Sequence, residues 1–318
     1  MDGGNGCFYG IPHRARRVVE FNVEDKSIKE IGPDLGGQEC KYWNGIKAGN
    51  GSIYCLPCDA EFILKITLRE GQDAEVQVLE AKQFPEGEWF KGALANDGCI
   101  YYFPSYPGSI LKLDPNNGDN LSLVGEEFDT GFVAAVLGKD GCIYGISYGQ
   151  VIKFNPVDCS VSQIGSDFDE YHTSNEAVLA DDENIYSINE FGQILKIDTS
   201  NKYWTLIGSK IYHDYEGCGW RRPVLGFDKI LYFPPCDHNR VLKFNPTTQN
   251  ISLVDSSNGE GFKWKGSVLV SDGLIYCISN HADDVLQIDS RHINEQVIKM
   301  IEKIYSSKNS LSQANVSL

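Results

Sequence analysis

The sequence holds no stretch of eighteen apolar residues, so it offers no transmembrane helix. Its opening, MDGGNGCFYG, has neither the basic nor the apolar segment of a secretory signal. Positive charge is scarce: 28 lysines and arginines stand against 44 aspartates and glutamates, a net charge of −16. Like charges repel at long range, so this balance argues against nucleic acid or an anionic membrane as partner and favours a cationic one, while the lack of an apolar span argues against membrane insertion. Chemical motifs are missing as well. There is no G-x-S-x-G elbow, no phosphate-cradling G-x-G-x-x-G or G-x-x-x-x-G-K-[ST], no H-E-x-x-H and no EF-hand loop. No catalytic residue, metal site or cofactor is therefore assigned.

Ten cysteines are present, but their placement does not suggest a disulfide framework. Cys7, Cys99 and Cys142 sit just before an Ile-Tyr or Phe-Tyr pair, and Cys55 and Cys277 just after one. A small, mildly apolar residue suits the inside of a strand, and cysteine serves there in a reducing compartment. The expected location is cytoplasmic. Cys55-x-x-Cys58 is the one C-x-x-C, with no second pair at zinc spacing.

What the chain does have is a repeat. A tyrosine recurs at Tyr9, Tyr54, Tyr101, Tyr144, Tyr186, Tyr232 and Tyr276, at intervals of 42 to 47 residues. Apolar residues at helical spacing are lacking; the runs are short, β-branched or aromatic, and punctuated by Asn-Gly, Asp-Gly and Pro. Such a period holding several short strands is the signature of a propeller blade. The fold expected is all-β: a seven-bladed β-propeller with four antiparallel strands per blade over residues 1–304. Within a period the first strand is small-residued, as at Gly92–Ala95. A tight Asp97-Gly98 turn follows, where glycine supplies the positive φ. The second strand carries Ile-Tyr, and the third is the Ile110-Leu111-Lys112 run, stopped by Asp114-Pro115. The fourth is an outer edge such as Leu121–Val124, and four of these edges close on glycine: Gly32, Gly125, Gly165 and Gly208.

Twelve residues before the tyrosine stands a large aromatic at Tyr42, Trp89, Phe132, Trp220 and Trp264, with Ser174 the break. A stripe at repeat spacing predicts packing between blades rather than a ligand ring. These residues resemble the W-x-G-x-V-L, G-x-I-Y-x-x-P and V-L-x-I-D-P repeats of algal and protist propeller proteins, and more distantly kelch and NHL propellers. The paired glycines of kelch are absent. The resemblance implies an interaction scaffold and no particular activity.

Only eight residues precede Tyr9, so the first period is expected to lack its inner strand. Residues 305–318 form a surplus tail, expected either to supply that strand through Leu311–Leu318 or to be disordered. The loops after second strands and those between blades share one face, which is where function is expected. That face should carry a basic island, His13, Arg14, Arg16 and Arg17. Around it lies an acidic field, Glu126, Glu127, Asp129, Asp167, Asp169, Glu170, Asp214 and Glu216, with His213 and His238. The reading is a protein-interaction scaffold whose partner presents a basic segment. Two alternatives stay open. One is a metal-dependent lactonase or lyase gathering His13, His172, His213, His238 or His281 with a carboxylate at the axial funnel. The other is a structural subunit of a larger assembly.

Overall fold

In a computed structural model of the chain, the described residues are 1–22, 24–58, 62–69, 71–79, 88–89, 91–168, 173–189, 191–211, 219–220, 222–236, 238–255, 264–270, 273–279 and 286–291. Among them every regular element is a strand, and the strands fall into seven antiparallel sheets in chain order, one for each tyrosine. Each sheet is a meander from axis to rim. Together they form an all-β, seven-bladed propeller. Blades 2 to 6 have four strands; among the described residues blades 1 and 7 have three. The expected outer strand of blade 7 falls on residues outside the described set, as does the tail 305–318.

The apolar core is a series of layers between successive blades. Tyr101, Phe103 and Ile110 of blade 3 meet Phe132, Ile143, Ile152 and Phe154 of blade 4, and comparable layers join the neighbouring blades. Both faces of a blade are therefore covered, which is why second strands such as Ile100–Phe103 and Ile143–Ser147 are buried throughout. The aromatic stripe belongs to these layers. Tyr42, Trp89, Phe132 and Trp220 are almost fully buried, and the indoles of Trp89 and Trp220 donate to the carbonyls of Ser109 (2.9 Å) and Arg240 (2.7 Å).

A polar anchor closes the turn end of blades 1 to 6. The residue four before the tyrosine is Asn5, Asn50, Asp97, Asp140, Asp182 or Asp228 in blades 1 to 6. One side-chain oxygen accepts the backbone N–H two residues on, as from Cys99 to Asp97 (3.0 Å), and so shapes the turn. The other end meets the tyrosine hydroxyl: Tyr101 donates to Asp97 (2.8 Å), Tyr144 to Asp140 (3.0 Å), Tyr186 to Asp182 and Tyr232 to Asp228 (both 2.7 Å). The turn residue between them has positive φ, as at Gly98 (82°) and Gly141 (80°). The repeated lysine of the third strand lies across from the tyrosine and over its ring, 5.2–5.9 Å from the centroid for Lys65, Lys112, Lys153 and Lys243. Blade 2 has asparagine in the turn, and the carboxylate comes instead from blade 3: Asp119 accepts from Tyr54 (2.6 Å) and Lys65 (2.7 Å).

Two expectations need correcting. The first period does have inner-strand pairing: the Met1 amino group donates to the Tyr9 carbonyl, the Tyr9 amide to the Met1 carbonyl, and the Gly3 amide to the Cys7 carbonyl. Met1 stands eight residues before Tyr9, the offset at which Ile46, Val136 and Val178 pair with their own tyrosines. The place opposite Tyr9 is thus filled from residues 1–3. Secondly, the outer strand of blade 3 does not stop at Gly125 but runs Asn120–Phe128, kept in pairing by a bulge between Ser109 and Ile110. Glu126 and Glu127 consequently lie on a strand and not in a blade connection.

Candidate functional site

The face carrying the second-to-third-strand loops has an irregular surface, and the predicted residues on it divide into separate places. The basic island belongs to the first such loop, between Cys7–Gly10 and Val18–Asn22. It is neutralised locally. Arg14 pairs with Glu39 (3.5 Å), Arg16 with Asp34 (2.6 Å), and Arg17 donates to the Gly32 carbonyl. Buried Lys41 locks the same loop to the connection into blade 2, donating to the carbonyls of Arg14 (3.2 Å) and Gln38 (2.7 Å). His13 sets its ring edge-on to Trp43 at 5.4 Å. His238, in blade 6, stacks on Trp220 at 4.6 Å and accepts the Arg240 amide through Nδ1 (3.1 Å).

Of the acidic field, Glu126, Glu127, Asp129 and Asp167 are exposed, and Asp167 accepts from Gln163 (2.6 Å). Asp169, Glu170, His213, Asp214 and Glu216 lie outside the described residues, as do His172 and His281. Among the described residues no group of three or more His, Cys, Asp or Glu is arranged to hold a metal ion. The nine described cysteines are free thiols, several deeply buried; burial pushes the thiols of Cys55 and Cys277 up to about 12, which keeps them protonated.

A cleft of about 440 Å³ opens on this face between blades 2, 3 and 4. Trp43, Tyr106, Phe132 and Tyr148 form its walls, with Asp129 and Lys91 among the other lining residues. Tyr106 is 62% and Tyr148 45% exposed, large values for aromatic side chains in a folded chain. Asp129 is the one residue of the predicted set that lines the cleft.

Sequence reasoning overlooked the charges at the axis. Lys91, Glu176 and Arg222 each stand ten residues before their own repeat tyrosine, in blades 3, 5 and 6. Inner strands converge at the centre of the ring, and blade 4 packs its inner strand against those of blades 3 and 5. The three side chains meet there. One oxygen of Glu176 lies 3.2 Å from the Lys91 ammonium and 2.9 Å from the Arg222 guanidinium. Lys91 is only 7% exposed. Ser187 fixes the Glu176 backbone by donating to its carbonyl (2.8 Å), and Ser267 does the same for Arg222 (3.0 Å). Burial pushes the Met1 ammonium pKa down, and the charge of Arg222 pushes in the same direction. Comparing one offset across blades 2 to 7 would have revealed the trio: it reads Asn44, Lys91, Ala134, Glu176, Arg222, Gly266.

No protein-family model matches the sequence, and no curated protein does. Solved structures do. Virginiamycin B lyase from Staphylococcus aureus superposes with a TM-score of 0.67 at 13% identity, over 81% of this chain and 84% of that one. YCF48 bound to D1 peptide gives 0.65 at 13%, over 91% and 90%. Kuenenia stuttgartiensis hydrazine synthase gives 0.69 at 11%, over 92% and 95%. At such identities the likeness is one of fold. The same ring carries a lyase in one case and holds a peptide in another, so the fold does not choose between them.

Proposed function

We propose that this propeller is a protein-interaction module that receives its partner on the loop-bearing face, over the cleft between blades 2 and 4. The observation that carries the reading is the exposure of Tyr106 and Tyr148 beside Pro107 and Trp43. Aromatic side chains presented in this way are the usual anchors of interfaces, since they bury large area at small entropic cost. The net charge of −16 and the exposed Glu126, Glu127, Asp129 and Asp167 support a partner presenting a basic segment. Free buried thiols support work in the cytoplasm. Among the described residues, the alternative of a metal-dependent lactonase or lyase has no specific observation in its favour. The two described histidines from its list, His13 and His238, lie in different blades, and each packs against a tryptophan.

The test compares tagged wild type with a Tyr106→Ala/Tyr148→Ala double variant in extracts of the source cells, reading captured proteins by mass spectrometry. A stoichiometric partner should appear with wild type and fall by about tenfold or more with the variant. Equal capture by both would remove this face from consideration.

A further inference from the structure

Two segments of blade 3 and its connection to blade 4 run side by side along one wall of the cleft, tied together at both ends. Gly108 pairs with Phe128, and the Phe132 amide donates to the Pro104 carbonyl (2.8 Å). Between these ties a Cβ on Gly131 would run into the Ser105 carbonyl, so glycine is what allows the approach. Residues 105–107 are thereby held against 129–131, which brings Tyr106 and Asp129 to the same wall. Both side chains are open to an arriving group. Tyr106 is 62% exposed, and Asp129 is exposed too. Among the described residues no hydrogen bond or ion pair engages the Asp129 carboxylate, and no ring or cation covers Tyr106. Asp34 and Asp140, by contrast, are matched by cations of their own chain. Lys91 lines the same cleft but lies buried against Glu176, so Asp129 is the charge met at the surface. Glu126 and Glu127, exposed on the strand that leads to Asp129, extend the negative field.

A carboxylate without an internal counter-ion, set beside an open tyrosine ring, suits a planar cation. A guanidinium can lie flat on the ring while its edge donates two hydrogen bonds to the carboxylate. An ammonium is a compact, strongly hydrated charge that reaches the carboxylate without the stacking. We propose that this wall of the cleft receives an arginine side chain of the partner, stacked on Tyr106 and paired with Asp129. The arginine stem lies along Pro107, the apolar residue next to Tyr106 in the lining. The proposal rests on the cleft being the docking place, and it names the residue that the basic segment inserts there.

The experiment is calorimetric titration of the purified full chain, at low ionic strength, with capped glycine peptides carrying one central arginine, lysine or citrulline. Citrulline keeps the shape of arginine and lacks its charge. Wild type should bind the arginine peptide about threefold or more tighter than either of the others. Asp129→Asn should bring arginine down to the level of citrulline. Tyr106→Leu should bring arginine down to the level of lysine, with both still above citrulline. Each variant removes one preference and keeps another, which a damaged fold cannot do. Equal affinity of wild type for arginine and citrulline, or for arginine and lysine, overturns the proposal, as does no binding of the arginine peptide at millimolar concentration. Partner capture separates this proposal from the docking face. If Asp129→Asn captures the partner at the wild-type level while the double tyrosine variant fails, the arginine site falls and the docking face stands. Arginine selectivity in the peptides, with capture unaltered in the double tyrosine variant, upholds the site and removes the docking face.

Discussion

At the turn end of the blades, the residue four before each repeat tyrosine is always aspartate or asparagine; at the axis, the residue ten before it changes from blade to blade. The two positions also differ in how their charges are satisfied. Asp97 and Asp140 are held within their own hairpins, by a turn amide, a tyrosine hydroxyl and the lysine on the neighbouring strand. Lys91 instead reaches a carboxylate 85 residues away, and that carboxylate holds an arginine from a third blade. Uniform positions build the ring. Variable positions at the axis give it an identity, and the comparison predicts that damage to the first kind costs much stability and damage to the second little.

The strongest test of the framework side is Tyr101, which is wholly buried. Tyr101→Ala should lower the unfolding free energy by about 3–5 kcal/mol, the usual cost of deleting a large buried ring. Tyr101→Phe, which removes only the hydroxyl donated to Asp97, should cost about 1–3 kcal/mol. Denaturant midpoints measure both, and similar losses for the two variants would mean that the ring is not the anchor. Acidity gives a second test. Desolvation pushes the Asp140 carboxyl up, but Lys153, the Cys142 amide and Tyr144 outweigh it and hold the group below its ordinary range. The folded chain then binds that proton less readily than the unfolded one. The stabilisation is present above about pH 4 and is lost as pH falls through the folded value. The tyrosines behave oppositely: burial, then the nearby carboxylate, raises Tyr144 and Tyr186, so their contribution is present below about pH 10 and fades above it. Melting temperature against pH should show a plateau between these limits, and Asp140→Asn should flatten its acid edge. An unaltered edge in that variant would assign acid unfolding to other carboxylates. The smallest change expected is at the axis. Lys91→Met leaves Glu176 paired with Arg222 and should shift stability by about 1 kcal/mol or less. A loss of several kcal/mol would make the axial trio part of the framework and collapse the distinction.

The propeller is legible in the sequence because its signals are local and repeat. The Asp-Gly turns, the aromatic twelve residues before each tyrosine and the fully apolar second strands each declare themselves within a few residues. Glycine at the end of outer strands misleads once: strands end just before Gly32, Gly165 and Gly208, yet in blade 3 the ladder resumes beyond Gly125 because Gly125 and Glu126 bulge out between the Val124–Ile110 and Glu127–Ser109 pairs. The basic island is legible as a cluster but not as a neutralised one, since Glu39 and Asp34 approach only when the chain turns into blade 2. The axial trio is invisible to motif reading. Its members are single residues in unremarkable contexts, and only the curvature of the ring brings them together.

Asp119 shows how far the blades depend on one another. Blade 2 borrows this carboxylate from blade 3 to satisfy both Tyr54 and Lys65, which is only 16% exposed at its side chain. A copy of blade 2 moved to another place in the ring would arrive with a lysine and a tyrosine hydroxyl that its own residues do not complete. Its portable unit is therefore the pair of blades, and duplication, permutation or grafting should keep 46–79 joined to the segment that carries Asp119.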